Sequence, residues 1–410
     1  MDSFLFTGGR FLDPDIGELQ DGIDVLVEGE RVKEVGPRLT AQSATRIDLA
    51  GRTLMPGLVD SHVHVIASLV NIAENSALPS SLAALRAGAI MEAMLQRGFT
   101  TVRDLGGADL GLARAVEEGL IDGPRLVICG KALGMTGGHS DFRARSDDRT
   151  LFEGRVGTLG RICDGVDAVR RAAREEIKGG ARFIKIMANG GVASPNDPID
   201  ALGFAEGEIR ACVEEADMAG TYVAAHLYTD KSIRRAVMFG VHSLEHCNLI
   251  TAETAALAAA AGAIACPTLV AYEGLAMEGK ALGLGAESVA KIETVRRGGM
   301  ESLAIMRAAG LPMAYGSDLL GQLHKYQSME FSIRARVLPV REIIASATTI
   351  GARLCRLEGE IGVLKAGASA DLLVVDGDPY RDITVLEQNG QRLKAIMRQG
   401  RFFKNELAAA

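Results

Sequence analysis

Two hydrophobic rhythms alternate along the middle of the chain. Short apolar runs bounded by turn residues recur at 57–62, 100–104, 125–129, 183–187, 222–226, 243–246, 263–267 and 312–317. Between them lie longer stretches with helical periodicity, such as 167–178 (DAVRRAAREEIK) and 206–219. Strands that alternate with helices predict parallel βα units. Eight such strands over about 300 residues predict an α/β chain built on a (β/α)8 TIM barrel. The two ends read differently. Runs at 23–27 and 32–35 flank the turn Glu28-Gly29-Glu30-Arg31; near the other end 371–376 reads as a strand, and 394–398 followed by Gly400-Arg401 as another hairpin. Neither end is long enough to bury a core alone. Residues 1–55 and 358–410 are therefore expected to form one small β-sandwich, beside a barrel at 56–357.

Composition narrows the class. Hydrophobic residues are 48% of the 410, enough for a sizeable core. Forty-five basic against fifty-two acidic residues give a net charge of −7, which argues against nucleic acid or an anionic membrane as partner. The six cysteines show no CxxC spacing and sit in apolar surroundings, as buried thiols in a reducing compartment do. The first residues carry no basic region before an apolar run, and the alanine-rich segment 255–265 is short and stopped by Pro267. The expectation is a cytoplasmic, soluble protein.

The chemistry is expected at the carboxyl ends of the strands. Residues two apart on a strand face the same way, so His62 and His64 would present paired imidazoles after the bend Met55-Pro56-Gly57. Alone, such a pair could equally be two core histidines. Further metal-competent groups recur at later strand ends: Lys185, His226, His246 and Asp318. Lys185 is the informative oddity, because Phe183, Ile184 and Ile186 surround it with apolar bulk. Burial there would lower its pKa, and a neutral amine reacts with carbon dioxide to give an anionic, two-oxygen carbamate. The alternative is a lysine that snorkels to solvent or pairs with a carboxylate. His242 reads as a core or surface residue.

These residues lie in PGLVDSHVH (56–64), TTVRDLGG (100–107), GMTGGHSD (134–141), FIKIMANGG (183–191), VAAHLYTD (223–230), HSLEHC (242–247), YGSD (315–318) and GVLKAGASADLLVVDGDP (362–379). With these motifs the sequence resembles the amidohydrolase superfamily over nearly its whole length, in the branch of prolidases and related carboxypeptidases near the imidazolonepropionase-like group. The resemblance implies two divalent metals, most naturally zinc. His62, His64 and Asp318 would hold the more buried one, His226 and His246 the more exposed one. Carbamylated Lys185 and a hydroxide would bridge them. It also implies attack on an amide carbonyl, with Asp318 passing a proton to the leaving nitrogen.

In prolidase-like relatives a tyrosine two residues past the strand-5 histidine and a histidine in the strand-3 loop grip the substrate. Tyr228 and His139 match them, although Tyr228 could also be a structural hydroxyl at the rim. Arg143 and Arg145 could clamp a carboxylate or be solvated, and His324 is a further rim candidate. Asn189-Gly190-Gly191 and the Gly-rich segment 274–299 read as mobile loops. The bridging lysine argues against single-metal deaminases and imidazolonepropionase. The expected substrate is a dipeptide or N-acyl amino acid with a free carboxylate, Xaa-Pro foremost. The competing readings are a hydrolase of lactones or cyclic amides, and a non-catalytic scaffold. Relatives suggest a homo-oligomer.

Overall fold

A computed structural model describes residues 2–147, 149, 153–192, 197–282 and 286–407. Its middle is built on parallel strands. Leu58–Val63, Phe99–Asp104 and Arg125–Ile128 form a three-stranded sheet. Gly160–Ile162, Ala132–Gly134, Ile184–Met187, Val223–Thr229, Ser243–Leu249 and Ile264–Cys266 form a six-stranded one, hydrogen-bonded in that order. The central strands are buried on both faces, which is why they read as continuous apolar runs and not as an alternation.

Hydrogen bonds connect the two sheets on both sides. Arg182 N donates to Ile128 O (2.8 Å), beside a bend at Gly130, whose φ of +70° suits glycine. On the other side the segment 312–318 bonds to both neighbours. Ala314 N donates to Ala265 O (2.8 Å), Ser61 N to Tyr315 O (2.7 Å) and Asp318 N to His62 O (2.8 Å). Among the described residues this segment is not the regular strand expected at 312–317; only Met313 bridges, to Ala265. Pro312 has no N–H to give, and Asp318 turns the chain with φ +49°.

Helices cover the parallel sheets, including Val166–Lys178 and Glu206–Met218, close to the stretches expected. The segment 274–299 is a correction. It lies mostly in helices Leu269–Glu278 and Ala286–Ala308. Its glycines serve close packing: a Cβ at Gly298 would stand 2.5 Å from Leu249 Cδ2, and one at Gly299 2.5 Å from Leu269 Cδ2. Among the described residues no helix is long and apolar enough to cross a membrane.

Both ends of the chain meet in two further sheets. One joins Arg31–Pro37, Ile23–Glu28, Ser3–Thr7 and Thr45–Asp48; the other joins Arg401–Asn405, Leu393–Arg398, Leu372–Val375, Thr53–Pro56, Arg10–Leu12 and Leu19–Asp21. Phe6, Val25, Ile47, Leu54, Val374 and Met397 share one apolar cluster with residues from both termini. The pairing of Leu373 with Met55 ties the C-terminal part to the strand that leads into Leu58–Val63.

A buried ion pair staples the last two parallel segments. Arg334 Nη2 donates to Pro267 O (2.8 Å) and Ala314 O (2.9 Å), while its Nε donates to Glu330 Oε1 (2.8 Å). Burial pushes the Glu330 carboxyl up to about 7 even though Arg334 opposes the shift. The native state therefore binds more protons than the unfolded one between the ordinary carboxylate value and about 7, so stability falls as pH rises through that window. Glu330→Gln removes this dependence, because the amide stays neutral at every pH. Thermal midpoints from pH 4 to 8 should show the native protein losing stability relative to the variant up to about pH 7 and then levelling. A pH-independent difference contradicts this account.

Candidate active site

Eight of the residues singled out by sequence converge on one cavity. His62, His64, Lys185, His226, His246 and Asp318 all line it, with His139, Tyr228, Tyr272 and an apolar wall that includes Phe142, Leu275 and Leu319. It encloses about 750 Å³ of space, counting the part open to solvent. Strand geometry places them. His62 is on Leu58–Val63, which His64 follows, Lys185 on Ile184–Met187, His226 on Val223–Thr229 and His246 on Ser243–Leu249. The rings form a chain of contacts, with centroids 5.5 Å apart for His62 and His64, 4.9 Å for His62 and His246, and 4.6 Å for His246 and His226. Asp318 Oδ1 stands 3.4 Å from His62 Nε2 and 3.3 Å from His64 Nε2.

Backbone strain marks two of these positions. His246 and Asp318 adopt φ +72° and +49°, in the left-handed region that non-glycine residues rarely enter. Such conformations persist only where the surroundings impose them. Here they turn a side chain into the cavity at the end of a strand.

The electrostatics favour ligand chemistry. Burial and the neighbouring imidazoles hold His226 and His246 well below the ordinary histidine range, so their rings are neutral and keep a lone pair. Burial would raise the Asp318 carboxyl, but His62 and His64 hold it well below the usual carboxylate range. Burial lowers Lys185 against the pull of Glu245 and Asp318, and among the described residues it forms no ion pair. His62, His246 and Asp318 offer ligand atoms within 4.8 Å of one another. Neutral imidazoles with a carboxylate are the donor set that divalent zinc and its neighbours accept, so the residues present fit a metal.

Other groups hold these in place. His62 Nδ1 lies 2.8 Å from Glu245 Oε2, and Arg103 Nη2 donates to Glu245 Oε1 (2.7 Å). Burial would raise the Glu245 carboxyl, but Arg103 and His62 keep it ionised. His64 Nδ1 lies 3.1 Å from Gly106 O, and His246 Nδ1 lies 2.8 Å from Thr268 Oγ1. Sequence reasoning passed over Arg103, Glu245, Thr268 and Tyr272. Charged residues inside otherwise apolar parallel strands were the signal available for the first two.

His139 stacks on His226 at 4.3 Å, and its Nδ1 is 3.4 Å from Asp197 Oδ2. Gly191 makes room for it: a Cβ there would stand 1.7 Å from the His139 ring. Asn189 is pinned, contrary to the mobile loop expected. Its Nδ2 donates to Ile199 O (2.7 Å) and Ala201 O (2.6 Å), and its Oδ1 accepts from Tyr228 N (2.7 Å). Arg143 does not reach the cavity wall. Its Nε and Nη2 each donate to Asp141 at 2.7 Å, because the carboxylate two residues earlier is the nearer partner. Arg145 is exposed. His324 is buried outside that wall, with Nε2 3.1 Å from Ala67 O, and burial lowers its pKa to about 4. His242 is half-buried against Tyr222, away from the cavity.

The parallel strands and the ring of histidines define the class: the chain belongs to the amidohydrolase family, whose profile matches residues 53–402. Relatives sharpen the comparison. The chain is 31% identical over 383 residues to an ochratoxinase from Aspergillus niger, covering 89% of this chain and 78% of that protein. A crystal structure of an amidohydrolase superposes with TM-score 0.97 at 50% identity, covering 99% of this chain and 100% of the other. A prolidase crystallised with N-methylphosphonate-L-proline superposes with TM-score 0.97 at 48% identity, covering 98% and 100%. Family and neighbours together support a hydrolase that acts on amide bonds.

Glu245→Gln tests how the site is held. Losing the charge opposite Arg103 should cost on the order of 3–5 kcal/mol of stability. Loosening His62 should weaken divalent-metal affinity roughly 10–100-fold. Denaturant unfolding and competition with a chromophoric chelator measure the two effects. Native values for both would refute the assignment.

Proposed function

We propose that this chain is a binuclear metal-dependent amidase cleaving dipeptides or N-acyl amino acids that carry a free carboxylate, with Xaa-Pro dipeptides foremost. The convergence of four imidazoles, a carboxylate and a desolvated lysine on one cavity carries this reading. The likeness to a prolidase bound to a proline phosphonate favours proline on the carboxyl side. We propose further that the two parallel sheets and segment 312–318 close into a (β/α)8 barrel at 56–357, with 1–55 and 358–410 as the β-sandwich. The sheet-to-sheet hydrogen bonds and the shared terminal cluster support both assignments. Six buried free cysteines fit a cytoplasmic location.

His62, His64 and Asp318 would hold one divalent ion, His226 and His246 the other, and Lys185 both. When bound, the pair, zinc by its donor set, supplies Lewis acidity and a water acidic enough to ionise near neutral pH. Lys185 serves as a ligand only after its neutral amine attacks carbon dioxide, forming an N–C bond and releasing a proton. The burial that lowers its pKa favours the amine form that reaction needs. Asp318, facing the cavity between the rings, accepts a proton as water adds to the carbonyl and returns it to the departing nitrogen. An amide nitrogen leaves poorly unless protonated, so this return is indispensable. His139 and Tyr228 line the same wall and are positioned to bind the substrate's carbonyl and carboxylate.

Lys185→Ala should lower bound metal from about two equivalents and reduce kcat by at least about a hundredfold. Elemental analysis and a parallel panel of Xaa-Pro dipeptides, N-acyl amino acids and lactones provide the measurement. Full metal content with full activity removes Lys185 from the mechanism. A preference for lactones moves the substrate class.

A further inference from the structure

Tyr228 does not stand alone at the cavity wall. Tyr272, on helix Leu269–Glu278, donates its hydroxyl proton to Tyr228 Oη at 3.2 Å. Thr268, at the start of that helix, places Oγ1 3.5 Å from Tyr272 Oη and 2.8 Å from His246 Nδ1. All three side chains are buried. The two phenol rings meet edge to face, with centroids 6.0 Å apart, and Tyr228 packs across His226 at 4.6 Å.

A phenol has one proton and spare acceptor lone pairs. Tyr272 spends its proton on Tyr228, so the Tyr228 oxygen is already an acceptor on that side. Its own proton is free to seek a partner elsewhere, and Tyr228 lines the cavity. A phenol keeps its proton at neutral pH, so both hydroxyls can donate. The three hydroxyls thus form a short chain, anchored where Thr268 meets His246.

We propose that Tyr272 is a positioning residue for substrate recognition: its hydroxyl fixes Tyr228 as a hydrogen-bond donor into the cavity, selecting substrates with an anionic acceptor at that point. This rests on the amidase reading above and identifies what enforces the requirement for a free carboxylate. Tyr272 itself need not touch the carboxylate. Without its proton, the Tyr228 hydroxyl can rotate away from the cavity, and the substrate loses a prepaid orientation.

The test compares N-acetyl-L-proline as free acid and as carboxamide. For the acid, Tyr272→Phe should raise KM roughly tenfold while leaving kcat within about twofold. For the carboxamide the same substitution should change kcat/KM by less than about twofold, because a neutral acceptor gains less from a fixed donor. Tyr228→Phe should absorb the effect, the double variant behaving like Tyr228→Phe alone. Metal content and thermal midpoint, measured for each variant, separate this from damage to the site. Equal losses on acid and carboxamide, or additive penalties, overturn the proposal. If neither compound is turned over, the substrate panel above decides the amidase reading, and calorimetric binding of the same pair to native and Tyr272→Phe protein decides the role of Tyr272 on its own.

Discussion

The arrangement depends on one buried cation. Arg103 is fully enclosed, and its guanidinium reaches four places at once: Ser61 O (2.7 Å), Tyr222 Oη (3.2 Å), Ser243 Oγ (3.0 Å) and Glu245 Oε1 (2.7 Å), with the Phe183 ring 5.0 Å away. These partners lie on or beside strands in both parallel sheets. A charge taken out of water is expensive and is tolerated only when its donors are satisfied and a counter-charge is close. The geometry meets both conditions, and the second oxygen of the same carboxylate reaches His62. Core electrostatics and the orientation of a cavity imidazole are therefore one problem with one solution.

Crowding does the rest. Gly316 lets the chain pass where a Cβ would stand 2.6 Å from Cys266 Sγ and 2.9 Å from His62 Cβ. Gly191 does the same for His139, and the left-handed turns at His246 and Asp318 set the last two directions. Close-packed interiors do not deform continuously. A side chain held on every side by rigid neighbours needs little reorganisation when it meets a ligand, which is the condition for strong electrostatic effects at a reacting centre.

This explains what could be read from the sequence and what could not. His62 and His64 were legible because two-residue spacing on a strand is visible in the letters, and Lys185 because a lysine amid Phe183, Ile184 and Ile186 is costly to bury charged. Arg103 and Glu245 were missed because a parallel strand buried on both faces has no polar side, so alternation marks neither. Tyr272 carried no signal of its own, a single aromatic in an apolar stretch just before the segment 274–299, whose glycines suggest a loop although Gly298 and Gly299 let a helix press against Leu249 and Leu269. Arg143 stands off the cavity wall for a local reason. Proximity in sequence to His139 says nothing about Asp141, which is closer still.

The cavity wall also suggests why hydroxyls and an imidazole, and not a guanidinium, face the substrate. Among the described residues no arginine lines it. Under the proposed reading the site would hold two divalent ions, and a further fixed cation would add to their repulsion in a medium of low dielectric. It would also compete for the oxygen that the ions are meant to polarise. A neutral donor such as Tyr228 avoids both penalties and retains direction. Direction is the one property a lone phenol lacks, since its hydroxyl rotates, and a second hydroxyl behind it is the least costly way to supply it.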